Sequence, residues 1–180
     1  MDSLQGSLLL AGGHLFDPNF RRSVILVTHH GEEGALGLVL NRPATVAVED
    51  AAPALASLVE PGARLFLGGP VQREMTMALA EFDHEGLAGK IVVGSIGFLP
   101  TDMAAGILRG VRQVRIFAGY AGWGPGQLEA ELAESSWITE PAGADDVFTE
   151  RPEELWSSIL KRKGGRYRTL ALMPFDPSTN

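Results

Sequence analysis

The sequence predicts a single layered α/β domain of the α+β type, in which helices flank a mixed, largely antiparallel sheet. Several short apolar runs bounded by turn residues have the length and composition of strands. The turn from His29 to Gly34 joins two of these runs over a short span, which indicates an antiparallel hairpin rather than a crossover. Helical patterns occur among the strands in an irregular order, which favours this fold class over a regular doubly wound sheet.

Six segments are predicted to be strands because they are rich in β-branched residues or leucine. In chain order they are Ser7 to Ala11, Ser23 to Thr28, Ala35 to Leu40, Arg64 to Leu67, Met75 to Phe82 and Arg112 to Ala118. Turn residues bound each of them. The sheet is therefore expected to form the centre of the fold.

Two segments are predicted to be helices because apolar residues recur about four positions apart and a glycine follows, as at a left-handed C-cap. They contain Met103, Ala104, Ile107 and Leu108 before Gly110, and Leu155, Trp156, Ile159 and Leu160 before Gly164-Gly165. A weaker pattern covers Glu49 to Val59, where Pro53 predicts either a short helix or two turns.

The composition is that of one globular domain. The chain has 180 residues, of which 45% are hydrophobic and 21% charged, and it contains no internal repeat or long linker. We expect a single domain from residue 6 to residue 173. The tail 174–180 combines two prolines with polar residues and is expected to be loosely ordered.

The charge and the cysteine content exclude several classes of function. A formal net charge of −7 disfavours nucleic acid and anionic membranes as partners. Cysteine is absent, which rules out thiol catalysis and thiolate metal sites. The first residues resemble neither a signal peptide nor a membrane span, so we expect a cytoplasmic protein.

The most heavily specified stretch is the glycine-rich segment GYAGWGPGQLEAEL, from Gly119 to Leu132. A structural interpretation makes Gly124 the N-cap of a helix, with a proline at the first helical position. Gln127 would then bond back to the cap as in a capping box, and Trp123 would pack on Leu128. The segment would in that case serve the fold.

The same segment also has a functional interpretation. Glycines let a ligand approach the backbone, and free N–H groups at a helix start can face an anion. Glu129 and Glu131 would repel a phosphate, and the segment has no lysine or arginine to offset them. A neutral or peptide ligand resting on Tyr120 and Trp123 is the remaining alternative.

A second candidate motif is Asn41-Arg42-Pro43, which follows a predicted buried strand. An arginine at a strand end beside glycine-rich loops can clamp a carboxylate or phosphate through two parallel hydrogen bonds. Alternatively, the proline ends the strand and Arg42 pairs with one of the many acidic residues. The sequence leaves both interpretations open.

Four motifs together give a family resemblance. They are GYAGWGPGQLEAEL, GALGLVLNRP at Gly34 to Pro43, FRRSV at Phe20 to Val24 and GGPV at Gly68 to Val71. With them the chain resembles the AlgH/YqgE-like family of small bacterial proteins, from about Gly6 to Trp156. The resemblance implies a compact α/β domain without an established biochemical activity.

Members of that family are sometimes given the label of transcriptional regulator. The acidic charge and the lack of a helix-turn-helix pattern give this label no physical support here. The ending LALMPFDPSTN also departs from the Gly-His-containing ending of many relatives. Any role that depends on that ending is not expected in this chain.

Other motifs are interpreted as structural. His29, His30, Glu32 and Glu33 share one turn, but adjacent strand residues point to opposite faces, so no metal site is predicted. No serine-hydrolase elbow, nucleotide-binding loop or dinucleotide fingerprint occurs, and no cofactor is expected. The basic cluster Lys161, Arg162, Lys163, Arg166 and Arg168 is interpreted as a solvated helix end.

The sequence favours a non-catalytic binding or regulatory module with an unknown protein partner or small ligand. Its candidate binding residues are Asn41, Arg42, Tyr120, Trp123 and Gln127. The alternative is a small-ligand-binding protein or a hydrolase-like enzyme with a cleft between Asn41-Arg42 and the loop Gly119 to Gln127. No catalytic residue and no oligomeric state is assigned.

Overall fold

The computed structural model describes residues 2–100 and 107–173. The strands in these ranges are β1 (Ser7–Ala11), β2 (Val24–Gly31), β3 (Gly34–Val39), β4 (Pro43–Ala47), β5 (Arg64–Leu67), β6 (Val71–Phe82), β7 (Lys90–Val93), β8 (Ile96–Phe98), β9 (Val111–Trp123) and β10 (Trp137–Pro141). The α-helices are α1 (Val48–Ala51), α2 (Gln127–Ala133), α3 (Ala144–Val147), α4 (Leu155–Lys163) and α5 (Arg166–Ala171). Within the described ranges, no helix is long and apolar enough to cross a membrane.

The strands form one open, mostly antiparallel sheet, as the sequence predicts. The order along it is β10-β1-β2-β3-β9-β6-β8-β7, and β4 joins through β5. The pairing of β5 with β9 is parallel, whereas the other strand pairs are antiparallel. Helices flank this sheet, so the predicted fold class is confirmed.

Both faces of the sheet are covered. On one face, α3, α4 and α5 pack on β1, β2, β3 and the strands from β5 to β9 around Phe117 and Trp156. On the other face, α2 covers β1, β2 and β3 with Leu128, and α1 covers β5, β6 and β9 with Val48. The alternation of buried side chains along β1 and β2 explains this arrangement, because neighbouring residues enter opposite cores.

The predicted strands are confirmed, with longer ends at several of them. Strand β2 runs to Gly31 and β3 begins at Gly34, so the hairpin turn contains Glu32 and Glu33 alone. The sequence analysis missed β4, β7, β8 and β10, which have at most five residues each. Such short runs give little periodic signal.

The helical predictions have three outcomes. The helix after Pro152 is confirmed as α4, which ends at Gly164 with φ of 79°. The residues of the Glu49–Val59 pattern form the short helix α1 and a separate 3-10 turn, Pro53–Leu58. This arrangement agrees with the alternative of two turns. Residues 101–106 and 174–180 lie outside the described ranges, so the Met103 helix and the tail stay predictions; Ile107–Gly110 is a 3-10 turn.

The glycines of two motifs meet at β9, where three strands converge. Gly68 donates its N–H to the carbonyl of Ala118 and accepts from the N–H of Val39, which joins the ends of β3 and β5 to β9. A side chain on Gly119 would lie 2.6 Å from the carbonyl oxygen of Gly69, and Gly119 has φ of 71°. Only glycine fits this crossing without strain. The strand therefore continues through a stretch whose glycines suggest a loop.

Candidate functional site

Helix α2, which the glycine-rich segment enters at Gln127, begins two residues later than predicted. Gly126, at φ of 72°, is the N-cap of α2, whereas Gly124 precedes it in a turn. The predicted bond from Gln127 back to Gly124 is present, because the N–H of Gly124 donates to Gln127 Oε1 at 3.1 Å. The N–H of Gln127 also donates to the carbonyl of Gly124, at 3.1 Å. Gly124 is exposed, and a Cβ there meets only Gln127 Oε1 at 3.9 Å. The position that requires the conformational freedom of glycine is therefore Gly126, because its φ is positive.

Trp123 lies in the core rather than on an exposed surface. It is buried at 6% exposure in one cluster with Leu128, which agrees with the predicted packing between them. Its indole N–H donates to Glu131 Oε2 at 2.9 Å, and the indole N–H of Trp137 donates to the same oxygen at 2.7 Å. The other oxygen of Glu131 accepts from Gln127 at 2.8 Å. Glu131 thus binds α2 to two buried tryptophans.

Glu129 also has an internal partner. His30 on β2 lies 2.8 Å from Glu129 through Nε2, and its Nδ1 accepts the N–H of Leu4 at 2.9 Å. Because an amide can only donate, Nδ1 carries no proton and Nε2–H is the donor to Glu129. A backbone hydrogen bond and this histidine lower the pKa of Glu129. Both glutamates of the glycine-rich segment therefore serve the fold.

Asn41 holds a strained corner of the chain. Arg22, two residues before β2, has φ of 52°, a left-handed conformation that is unusual for a residue with a side chain. Asn41 is buried, accepts the N–H of Val24 at 2.9 Å and donates to the carbonyl of Arg22 at 2.8 Å. The FRRSV and NRP motifs thus meet, and Asn41 positions Arg22.

Arg42 is half-buried and is held by carbonyl oxygens. It donates to the carbonyl of its neighbour Asn41 at 3.3 Å and to the carbonyl of Arg21. Among the described residues it has no carboxylate partner, so none of the acidic side chains in these ranges forms the ion pair that the alternative interpretation predicts. Burial lowers the pKa of Arg42, since desolvation disfavours its charged form.

A cavity of about 290 Å³ opens beside these arginines. We call it the arginine cleft; its lining residues are Arg22, Asn41, Arg42, Glu153, Trp156 and Ser157. The guanidinium of Arg22 lies 4.9 Å from the centre of the Trp156 ring. Trp156 is itself fixed, because its indole N–H donates to the carbonyl of Ala11 at 3.0 Å. The walls of the cleft therefore come from the Arg22 corner, from Asn41-Arg42 and from the start of α4, which Trp156 ties to β1.

The structure separates the two halves of the predicted cleft. No residue from 119 to 127 lines the arginine cleft, nor the second cavity beside Arg42, which has about 210 Å³ and contains Arg73. Tyr120 packs partly against the core, and the side chain of Gln127 is held by Gly124 and Glu131. Of the predicted residues, Asn41 and Arg42 share one cavity.

Sequence analysis missed Arg22, Glu153 and Ser157 as neighbours of Arg42. The adjacent arginines of FRRSV were the available signal for Arg22. Nothing in the local sequence around Glu153 and Ser157 indicates that this helix start lies beside Arg42, because the contact joins distant segments.

Two members of the basic cluster after Leu160 have carboxylate partners. Arg162 forms two hydrogen bonds with the carboxylate of Asp146, at 3.0 and 2.8 Å, and Lys163 bonds to Glu140. Among the described residues, no group of three His, Asp or Glu side chains is close enough to hold a metal ion. The Arg162–Asp146 pair joins α4 to α3, and the Lys163–Glu140 pair joins α4 to β10.

The fold and the cleft define a small α+β module with a cationic cavity between its sheet and one helix. The AlgH-like family model matches residues 8–168, and the chain belongs to this family. The UPF0301 protein of Streptomyces avermitilis is 42% identical over 188 residues and aligns with 100% of this chain and 97% of its own length. A UPF0301 protein of Mycobacterium tuberculosis is 40% identical, with 97% and 90% covered.

Two solved structures have the same fold. The solution structure of AlgH from Pseudomonas aeruginosa superposes with a TM-score of 0.70 at 31% identity, covering 96% of this chain and 95% of that one. The crystal structure of DIP2367 from Corynebacterium diphtheriae has a TM-score of 0.85 at 24% identity, covering 96% and 93%. The family is uncharacterised, so these likenesses establish the fold and not an activity.

Proposed function

We propose that this protein is a non-catalytic binding module whose ligand places a carboxylate or phosphate group in the arginine cleft. The observation that carries the proposal is the state of Arg42. Its guanidinium is half-buried, lines a cavity and has no carboxylate partner in the described part of the chain. A partly desolvated cation without a counter-ion is costly, and an anionic ligand offsets that cost.

The geometry of the arginine cleft suits an anion better than the glycine-rich segment does. A guanidinium presents its N–H donors in a planar fork that matches a carboxylate or phosphate. Arg22 brings a second guanidinium to the same cavity, at a corner that Asn41 holds in a strained conformation. Backbone strain that the surrounding structure over-determines is frequent at ligand sites. The net charge of −7 makes this cationic cavity a local exception.

The lining residues support binding rather than catalysis. None of them is a histidine, and the hydroxyl of Ser157 donates to the carbonyl of Glu154 at 3.0 Å. The hydroxyl proton of Ser157 is therefore directed to the backbone rather than to Glu153, the carboxylate among the described lining residues. A regulatory role, a protein partner and a cytoplasmic location remain predictions from the sequence.

Isothermal titration with inorganic phosphate and with propionate tests the proposal. We expect saturable binding of at least one of them, weakened about tenfold or more in Arg42→Gln because a charge-assisted contact is lost. Arg151→Gln is the matched control, since Arg151 is exposed and lines neither cavity beside Arg42. Its affinity should equal that of the wild type.

A second variant separates loss of binding from loss of folding. Arg22→Gly removes a guanidinium that contacts the Trp156 ring and the carbonyl of Met173, but the backbone conformation at this position favours glycine, so the variant should stay folded. Its affinity should nevertheless fall. Binding that persists in both Arg42→Gln and Arg22→Gly, or no binding by the wild type, would refute the proposal. Protein capture on the Arg42 face without anion binding would favour the protein-partner alternative.

A further inference from the structure

Among its described lining residues, the arginine cleft has one carboxylate as well as two guanidinium groups. Glu153, in the 3-10 turn Pro152–Glu154 that precedes α4, lines the cavity with Arg22 and Arg42. Its Oε1 accepts from Arg64 at 3.1 Å. A carboxylate has about four lone-pair sites, so this exposed group can accept a further donor. The cleft thus offers a carboxylate oxygen in addition to cationic donors.

Glu153 is charged at neutral pH and is only loosely held. A backbone hydrogen bond and the bond from Arg64 lower its pKa, so the carboxylate stays ionised. Arg64 belongs to a neighbouring cavity that it lines with Arg115, not to the arginine cleft. The Arg64 and Glu153 side chains are 49% and 62% exposed, and such a surface pair contributes little stability. A ligand cation can therefore engage Glu153 at small cost.

The geometry points to a zwitterionic ligand, an α-amino acid, whose carboxylate binds Arg42 with Arg22 and whose ammonium group binds Glu153. This inference rests on the proposed function and names its ligand class. A ligand with two opposite charges satisfies both kinds of group in one cavity. A phosphate dianion meets the repulsion of Glu153 at the same site.

The size of the cavity agrees with this class. Its volume of about 290 Å³ lies at the lower end of ligand pockets, which span roughly 300–1,000 Å³ for drug-sized molecules. A single amino acid fits this space. Trp156 supplies an apolar wall, because its indole N–H is already bonded to the carbonyl of Ala11.

The test begins with the twenty standard amino acids, each titrated singly into the full chain by calorimetry. Each amino acid that binds is then compared with its N-acetyl derivative, which lacks the ammonium group, and with its amide, which lacks the carboxylate. We expect both derivatives to bind about tenfold or more weakly than the free amino acid, because each loses one charge-assisted contact.

Two variants locate the ammonium site. Glu153→Gln keeps the shape and removes the charge, so it should bind the free amino acid more weakly and the N-acetyl derivative equally well or better. Glu154→Gln is the matched control, since Glu154 shares the turn but does not line the cleft. It should leave both affinities unchanged. Thermal melts of the two variants should coincide with the wild type, because both side chains are exposed.

The outcomes distinguish this inference from the proposed function. The inference of a zwitterionic ligand is overturned if an N-acetyl derivative binds as tightly as the free amino acid. It is also overturned if Glu153→Gln binds the free amino acid with the affinity of the wild type. If propionate or phosphate binds through Arg42 while none of the twenty amino acids does, the ligand class is wrong and the anion site stands. If none of these compounds binds, both proposals fall.

Discussion

Glu131→Ala should destabilise the fold strongly although the residue belongs to a segment that suggests a ligand loop. The substitution removes the oxygen that accepts the indole N–H groups of Trp123 and Trp137, which are 6% and 4% exposed. Leaving one buried donor unsatisfied costs about 1–3 kcal/mol, so the two donors together set a range of about 2–6 kcal/mol. Glu131 is half-buried, and water that enters its place reduces the cost. We expect a loss of about 3 kcal/mol.

Thermal unfolding followed by circular dichroism measures this loss. For a chain of this size, about 3 kcal/mol corresponds to a decrease in Tm of roughly 6–12 °C. Glu131→Gln should fall between the alanine variant and the wild type, because its amide oxygen still accepts from the indoles. Glu134→Ala, an exposed glutamate at the end of α2, is the control and should lose less than about 0.5 kcal/mol. If Glu131→Ala unfolds at the same temperature as the wild type, the hydrogen bonds from Trp123 and Trp137 to Glu131 do not stabilise the fold.

Three further perturbations test other parts of the structure. Asn41→Asp removes the donor to the carbonyl of Arg22 and places a buried charge beside it, so urea unfolding should show a loss of about 2 kcal/mol or more; an unchanged midpoint would contradict the positioning role. Gly119→Ala should lower Tm far more than Gly86→Ala, because a Cβ meets Gly69 at 2.6 Å in the first case and nothing within 4 Å in the second; equal melts would refute the steric argument. The pKa of Glu129 is lowered in the folded state, so its stabilisation is complete above the ordinary carboxyl pKa and is lost as the pH falls through the lowered one. Glu129→Gln should therefore weaken the acid dependence of stability, and an identical pH profile would count against the His30 contact.

The strands and α4 could be predicted because their signals are local. Runs such as Ser7 to Ala11 and the apolar spacing of α4 specify their own conformation, and the structure confirms them. The end of β9 could not be predicted in this way. Gly119 and its neighbours suggest a loop, but they permit a strand to pass close to two others, and only the tertiary arrangement shows that approach.

The candidate site was predictable in part for the same reason. Arg42 stands out because it follows a buried strand, and the cavity beside it is consistent with that interpretation. The role of Arg22 depends on a left-handed backbone that Asn41 imposes from a distant segment. Glu153 reaches the cleft only because α4 packs on β1 and β2. Contacts between distant segments leave no periodic signal in one sequence.

The central claim is that an anionic group binds in the arginine cleft, and NMR chemical-shift mapping tests it most directly. Titration of the ¹⁵N-labelled protein with propionate should shift the backbone amides of residues 21–24, 41–42 and 153–157 and the guanidinium Nε–H signals of Arg22 and Arg42. Signals from the glycine-rich segment should stay in place, since none of its residues from 119 to 127 lines the cleft. Shifts confined to that segment, or no saturable shift at the cleft residues, would contradict the account.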